Sequence, residues 1–426
     1  MKEGRDPHPR LATRRAGRVL ANLALVIAAA VVGLVLCELA LRALGISYTV
    51  FVWTDPITGV AHIPGVTSRT RFEGGSWIEI NSDGLRGPET SLRPPPGTYR
   101  IALLGDSFIE AFEVPYDSTV GQVLARDLAR QRGTPVEVLN FGVGGYGTTQ
   151  ELLTLQHRVW KYRPDLVLLA VTTGNDISDN YRPLKRSEYV PYHVFRGDRL
   201  VLDTTFLSAP GYRSRATWSR RMLTLVKNSR LAQVANRVRK TRRKDERQAR
   251  NAGARPEEEL GLRDEVHLPP ATPEWREAWR VTEGVLRLMR DECRTRGTPL
   301  AIVTLTRGIQ VSPDREKKKE FLRQLGAEDL YYPERRLTEF GEREGIPVLT
   351  LAPSMAREAE ERQVYFHAHH NTPGIGHWNV EGHRAAGERI AAWLGSGGLT
   401  TRTRLPGLHT PSTTTGARAT TPSTIP

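Results

Sequence analysis

The stretch Tyr99–Ile109, YRIALLGDSFI, decides the fold. Its apolar run Ile101–Leu104 lies between Pro94-Pro95-Pro96 upstream and Gly105 downstream. A run of that length between turn signals suits a short strand covered on both faces. The tight turn Gly105-Asp106-Ser107 follows, and a helix is expected from about Phe108. Ser107 then stands at the carboxyl end of the strand, the edge where open α/β sheets bind ligands. Backbone N–H groups at that edge point outward and can receive negative charge. The tripeptide has a second reading, in which Asp106 or Ser107 merely caps the helix.

Outward from this stretch the chain alternates. A helix is expected over Ser118–Arg132, a strand over Val136–Asn140, a helix over Thr149–Tyr162 and a strand over Leu166–Thr172. The rhythm breaks from Asp176 to about Pro270 and resumes with an amphipathic helix, Pro273–Arg294, carrying Trp275, Trp279, Leu286, Met289 and Cys293 near one face. Strand Leu300–Leu305, helix Glu334–Glu344, strand Pro347–Leu351 and helix Glu381–Leu394 complete it. Strands alternating with helices imply right-handed crossovers and a parallel sheet of about five strands.

The 426 residues are enough for one large α/β domain with additions at both ends. Val19–Cys37 is nineteen residues with one polar member, Asn22, long enough to cross a bilayer. Lys2, Arg5, Arg10, Arg14, Arg15 and Arg18 precede it, which leaves the N-terminus in the cytoplasm and sends the body across. A cleaved signal peptide, with Ala28-Ala29-Ala30 as the small-residue site, is the competing reading. The uncleaved anchor is preferred because the apolar run continues past those alanines and Glu38 can pair with Arg42 one turn on.

The expected organisation is a basic N-terminus (1–18), a transmembrane anchor (19–42), a stalk and entry segment with short strands (43–98), an α/β domain (99–395) with a basic insertion at about 177–270, and a disordered Thr/Pro-rich tail (396–426). The net charge of +14 is concentrated in the insertion: Arg213–Arg250 holds fourteen Lys and Arg against Asp245 and Glu246. That run reads as a solvated helical face, or as a contact for anionic lipid or an acidic polymer. Nucleic acid is not an expected partner, since only Trp218 interleaves the charges. Two cysteines, Cys37 and Cys293, define no disulfide framework.

Three more elements carry possible chemistry. NFGVGGYG, Asn140–Gly147, ends the second strand with glycines that let a backbone N–H approach a ligand. It also fits the spacing of a dinucleotide fingerprint, but the nearest following acid, Asp165, precedes the next strand and so lies at the wrong edge. Thr173-Gly174-Asn175-Asp176 ends the third strand, where Asn175 could aim its amide at the same point as the glycine loop. His377, in the turn before the last helix, could reach Ser107. His369, His370 and His383 lie nearby, yet no carboxylate or cysteine pattern completes a metal site.

Serine, glycine loop, asparagine and histidine in that order resemble the SGNH hydrolases, or GDSL-type esterases and lipases. The resemblance covers Tyr99–Asp176 and His377–Leu394, and NSDGLRGPE and GVGGYGTTQE are similar to a membrane-tethered bacterial branch. It implies a flavodoxin-like three-layer sandwich. It assigns Ser107 as nucleophile, His377 as base, and Ser107, Gly145 and Asn175 as the oxyanion hole, with Asp106 and Asp176 in support. It implies no metal or organic cofactor. The family's acid three residues before the histidine is here Gly374. A backbone carbonyl, Asn371 or Glu381 could take its place, and loss of such an acid can cost about 10⁴ in rate. The expected function is a serine esterase acting on O-acyl esters, acetyl among them, of envelope polysaccharide or lipid, with the domain outside the cytoplasm. Acyl transfer to a polysaccharide hydroxyl, or a catalytically weak envelope binding protein, are the alternatives.

Overall fold

The computed structural model describes residues 9–70, 73–217, 229–250, 263–369 and 372–397. The expected Thr/Pro-rich tail from residue 398, the first eight residues, Trp218, His370 and Asn371 lie outside the described residues.

Five strands form the central sheet: β1 (Tyr99–Leu104), β2 (Val136–Asn140), β3 (Leu166–Thr172), β4 (Leu300–Leu305) and β5 (Val348–Thr350). All neighbours are parallel, in the order β5-β4-β3-β1-β2. The chain leaves β1 for the edge and returns to its other side as β3. A crevice therefore opens where β1 and β3 end, which is where ligands bind in this topology.

Alternation along each strand builds two cores. Ile101, Leu103, Leu168, Ala170 and Val303 face one side, with helices α3 (Val120–Arg132), α8 (Ala352–Arg362) and α9 (Val380–Ser396). Helix α1 (Pro9–Ala43) and the short α2 (Ser107–Glu110) precede these in the chain. Ala102, Leu104, Val167, Leu169 and Ile302 face the other side, against α4 (Thr148–Thr154), α6 (Pro273–Thr295) and α7 (Tyr332–Glu344). A period-two strand buried on both faces must be apolar at nearly every position, so these runs read so plainly. Trp275, Trp279, Leu286, Met289 and Cys293 of α6 all enter the second core.

The structure differs from expectation in three places. Helix Thr149–Tyr162 is regular only to Thr154, then widens over Leu155–Val159 and tightens over Trp160–Tyr162 before left-handed Arg163 ends it. Helices Arg315–Leu325 and α8 are additional. His377 lies on a strand, Thr372–Trp378, paired antiparallel with His367–His369, and not in a turn. Residues 43–98 contain short strands. As expected of this entry segment, they pair in short hairpins, Val52–Asp55/Gly59–His62 and Thr67–Arg69/Trp77–Glu79. The Tyr146 hydroxyl bonds Thr58 Oγ1 at 3.0 Å and the Val60 carbonyl at 2.9 Å, and buried Arg86 donates to the carbonyls of Glu110, Ala111 and Val114. A buried guanidinium must have such acceptors, which ties this segment to the turn after α2.

Leu20–Ala43 of α1 is long and apolar enough to cross a membrane. Near its end Glu38 pairs with Arg42 at 2.9 Å and accepts from the backbone N–H groups of Arg230 and Leu231, at 2.9 and 3.0 Å. Glu38 thereby satisfies two of the orphan donors at the start of α5 (Arg230–Arg250), a described helix of the basic insertion.

Candidate active site

Ser107 follows β1 through a turn packed from beneath. A Cβ on Gly105 would lie 2.4 Å from Ile109 Cγ1, so the turn closes only around glycine. Asp106 Oδ1 accepts from Phe108 N and from Thr172 Oγ1, both at 3.0 Å. The capping expected of Asp106 therefore exists, and it frees Ser107 to face the crevice. Burial pushes the Asp106 carboxyl up, and the bonds from Phe108, Asn175 and Thr172 offset part of that rise.

The His377 strand runs into α9, which Asn379 caps by accepting from Gly382 N at 2.9 Å. His377 Nε2 lies 2.8 Å from Ser107 Oγ, although 270 residues separate the two. The Phe108 ring packs on the imidazole with centroids 4.9 Å apart. On its other side His377 Nδ1 lies 2.9 Å from Glu73 Oε2, and the His377 backbone N–H donates to the same oxygen at 3.2 Å.

Glu73 is thus the carboxylate behind the histidine, a group not considered from sequence. Glu381 is paired with Arg384 and Arg362 on the surface of α9. Gly374 does not readily carry an acid, because its φ of +78° is one that side-chain-bearing residues rarely adopt. At Gly376, a Cβ would lie 2.8 Å from Glu73 Oε1, so its absence makes room for the carboxylate. Glu73 itself sits at φ +47°, a left-handed conformation uncommon for a side-chain-bearing residue. A Cβ on Gly74 would meet the Glu113 carbonyl at 2.2 Å, so the turn presses close against the domain.

The three groups form one chain of contacts, and electrostatics sets its resting charge. Burial opposes charge on His377, but the Glu73 hydrogen bond and the Glu113, Glu73 and Asp106 carboxylates outweigh it, raising the pKa from 6.5 to about 9. Burial likewise resists ionisation of Glu73, and the bonds and charge of His377 overcome it, holding the carboxyl below its usual range. Imidazolium and carboxylate therefore stabilise each other at neutral pH. Because the folded value is raised, this contribution to stability is complete below 6.5 and is lost as pH rises through about 9.

Gly145, Asn175, Ser107 and His377 surround one cleft of about 360 Å³, lined also by Phe108, Ser178, Asp179, Arg263, Arg307 and Gly376. Gly145 takes φ +81°, and Lys185 Nζ donates to its carbonyl at 2.8 Å, which anchors the loop. The N–H of Ser107 opens a helix and so has no partner within it. Asn175 Nδ2 lies 3.2 Å from both Asp106 Oδ2 and Asp176 Oδ1, held at the rim between two carboxylates. Asp176 Oδ2 accepts from Thr172 N at 2.7 Å, closing the turn beneath Asn175. Burial, with Glu151 and Asp106 close by, pushes Asp176 well above the ordinary carboxyl range, and the same forces act on Glu151.

His383 and His367 are engaged elsewhere. His383 Nδ1 accepts from Val120 N and its Nε2 lies 3.1 Å from Glu113. His367 bridges Gly376 O and Thr306 Oγ1, and His369 Nε2 stands 3.7 Å from Glu73. Glu73, Glu113 and His377 bring one ligand atom each within 4.8 Å of one another. Both His377 nitrogens are already bonded there, so a metal ion would have to break the contact with Glu73 or Ser107.

Sequence reasoning missed Glu73, Arg263 and Arg307. The one local signal for Glu73 was an acid before Gly74-Gly75, the composition of a tight turn.

Residues 101–203 match the family model described as GDSL-like Lipase/Acylhydrolase. No curated protein matches the chain. Similar solved structures include a lipolytic protein of the G-D-S-L family from Desulfitobacterium hafniense (12% identity, 69% of this chain and 98% of that one, TM-score 0.32). A catalytic mutant of an acetylxylan esterase from Geobacillus stearothermophilus shares 12% identity over 70% of this chain and 94% of that one, with TM-score 0.35. The lipase/acylhydrolase from Enterococcus faecalis shares 13% identity over 70% and 95%, with TM-score 0.32.

Proposed function

We propose, for a chain that carries a GDSL-like lipase/acylhydrolase domain and is therefore an ester-bond hydrolase, that Ser107 is its nucleophile, His377 its base and Glu73 the acid that orients the base. The observation that carries this is the unbroken chain of contacts from Ser107 Oγ to His377 Nε2 (2.8 Å) and from His377 Nδ1 to Glu73 Oε2 (2.9 Å). His377 takes the Ser107 proton as the oxygen attacks the ester carbonyl, and the imidazolium so formed leans on the Glu73 carboxylate. The N–H groups of Ser107 and Gly145 and the Asn175 amide hold the oxyanion. The tetrahedral intermediate expels the alcohol, which leaves with the proton from His377. Water then repeats the sequence on the acyl-serine.

His377 accepts a proton only when neutral, so turnover should rise with pH towards about 9. The reading extends to location. The apolar helix α1 follows a basic N-terminus, which supports an anchored domain outside the cytoplasm. Glu38 starts the basic helix α5 at the end of that anchor, which supports contact between α5 and anionic lipid headgroups. The substrates are then O-acyl esters, acetyl among them, of envelope polysaccharide or lipid. Ser107→Ala tests the chemistry: it should abolish turnover of p-nitrophenyl acetate while leaving the thermal melt unchanged. Undiminished turnover in that variant would remove Ser107 from the mechanism.

A further inference from the structure

Two of the donors read above as the oxyanion hole stand on separate loops, Gly145 after β2 and Asn175 after β3. Both can face one oxygen only if the spacing of the loops is held. Gly145 is exposed, takes φ +81° and has nothing within 4 Å of where a Cβ would stand, so packing does not fix its orientation. Its N–H has no hydrogen-bond partner among the described residues, which leaves it open to a ligand. Its carbonyl has one, the ammonium of Lys185 at 2.8 Å. The same ammonium pairs with Asp179 Oδ2 at 2.7 Å. Asp179 closes the Asn175 turn, its N–H donating to the Asn175 carbonyl at 2.8 Å. Lys185 therefore bridges the two donor loops. They press close beside it, where a Cβ on Gly147 would lie 3.1 Å from Asp179 Cβ.

Lys185 is itself held in place. Its side chain is 11% exposed, and an ammonium so far out of water keeps its acceptors. It ends a short helix, Arg182–Lys185, closed by left-handed Arg186. Arg182 pairs with Asp203 at 2.8 Å, and the Leu184 carbonyl accepts from Arg263 at 3.2 Å. The bridge and its supports thus come from the insertion between β3 and α6. We infer that Lys185 is a positioning residue of the reaction: its ammonium fixes the Gly145 carbonyl against the Asn175 turn, so that the Gly145 N–H and the Asn175 amide converge on one oxygen. The inference rests on the esterase reading above and adds to it the group that sets the oxyanion geometry.

Lys185→Met removes the ammonium and keeps most of the apolar stem, whereas Lys185→Arg keeps charge and reach. The probes are p-nitrophenyl acetate and its thiono analogue, in which sulfur replaces the carbonyl oxygen and is a poor acceptor for N–H donors. Each rate in the full-length chain is divided by its hydroxide-catalysed rate, and the oxygen-to-sulfur ratio is read. The wild-type ratio should be about tenfold or more, since one oxyanion donor is worth about 10² to 10³ in kcat. Lys185→Met should lower kcat on the acetate by about 10 to 10², with KM little changed, and pull the ratio down. Lys185→Arg should restore much of both. A merely structural role would lower the two rates together and leave the ratio in place. Should Lys185→Met fail to melt cooperatively, Lys185→Gln, uncharged and one atom shorter, carries the same expectation. A ratio unmoved in the folded variant, whatever happens to kcat, would overturn the inference while leaving the esterase reading intact, and so would a wild-type ratio near one. Failure of the wild-type chain to hydrolyse p-nitrophenyl acetate, or undiminished hydrolysis in Ser107→Ala, would sink the esterase reading and this inference with it.

Discussion

Replacing Glu73 by Gln removes one charge and little volume, and it isolates what the carboxylate does. The rise of the His377 pKa from 6.5 to about 9 is worth about 3 kcal/mol in favour of the imidazolium. Glu73 supplies its largest favourable contribution, against a burial penalty that stays after the substitution. Losing most of that support in the transition state should lower kcat by about 10², since 1.4 kcal/mol is a decade. If the glutamine turns its NH₂ towards Nδ1, the wrong tautomer is set and the loss approaches about 10⁴. The assay is turnover of p-nitrophenyl acetate across neutral and alkaline pH, with Ser107→Ala as the blank. In the wild-type chain the acid limb of kcat/KM should centre near 9, and in Glu73→Gln it should move acidward. A kcat within about threefold of wild type, with an unmoved acid limb, would refute the reasoning.

Two glycines give a contrast. Gly376→Ala puts a Cβ 2.8 Å from Glu73 Oε1 and should reproduce the acid limb of Glu73→Gln, whereas Gly145→Ala, at φ +81° with nothing within 4 Å, should cost about 1 kcal/mol of stability in a thermal melt and leave that limb in place. Asn175→Ala should lower kcat by about 10² to 10³ with KM little changed, read by steady-state kinetics beside a melt that checks the turn. Glu151→Gln keeps the shape of a carboxyl whose folded pKa is raised. In the wild-type chain the stability due to that proton is present below the unfolded value and lost as pH rises through the folded one, so the variant should melt higher than wild type at alkaline pH and no lower at neutral pH.

How much of this was legible in the sequence depends on how each feature is encoded. Strands β1, β3 and β4 are buried on both faces, so their unbroken apolar runs announced them, and glycine or proline marked their ends. The edge strand β5 is half-buried throughout and only three residues long, yet the preceding Pro347 and the helix before it still marked its place. The hairpin carrying His377 reads as a loop because Pro373, Gly374 and Gly376 interrupt any alternation. Ser107, Gly145, Asn175 and His377 could be named because each follows or precedes a recognisable element. Glu73 could not, because its position comes from a turn in the N-terminal hairpins docking 304 residues away from its partner. Nothing in a lone acid's neighbourhood encodes a contact of that range, and the missing acid at Gly374 said only that some other group was needed. Arg307 was hidden for the same reason, its route to the cleft depending on the absent side chain of Gly174.

The most direct test of the account is covalent trapping of the nucleophile. The full-length chain is treated with a fluorophosphonate, and the adduct is mapped by mass spectrometry in wild type, Ser107→Ala and Glu73→Gln. The account predicts one adduct, on Ser107, absent from Ser107→Ala and formed more slowly in Glu73→Gln. An unlabelled wild-type chain, or an adduct that persists in Ser107→Ala, would contradict it.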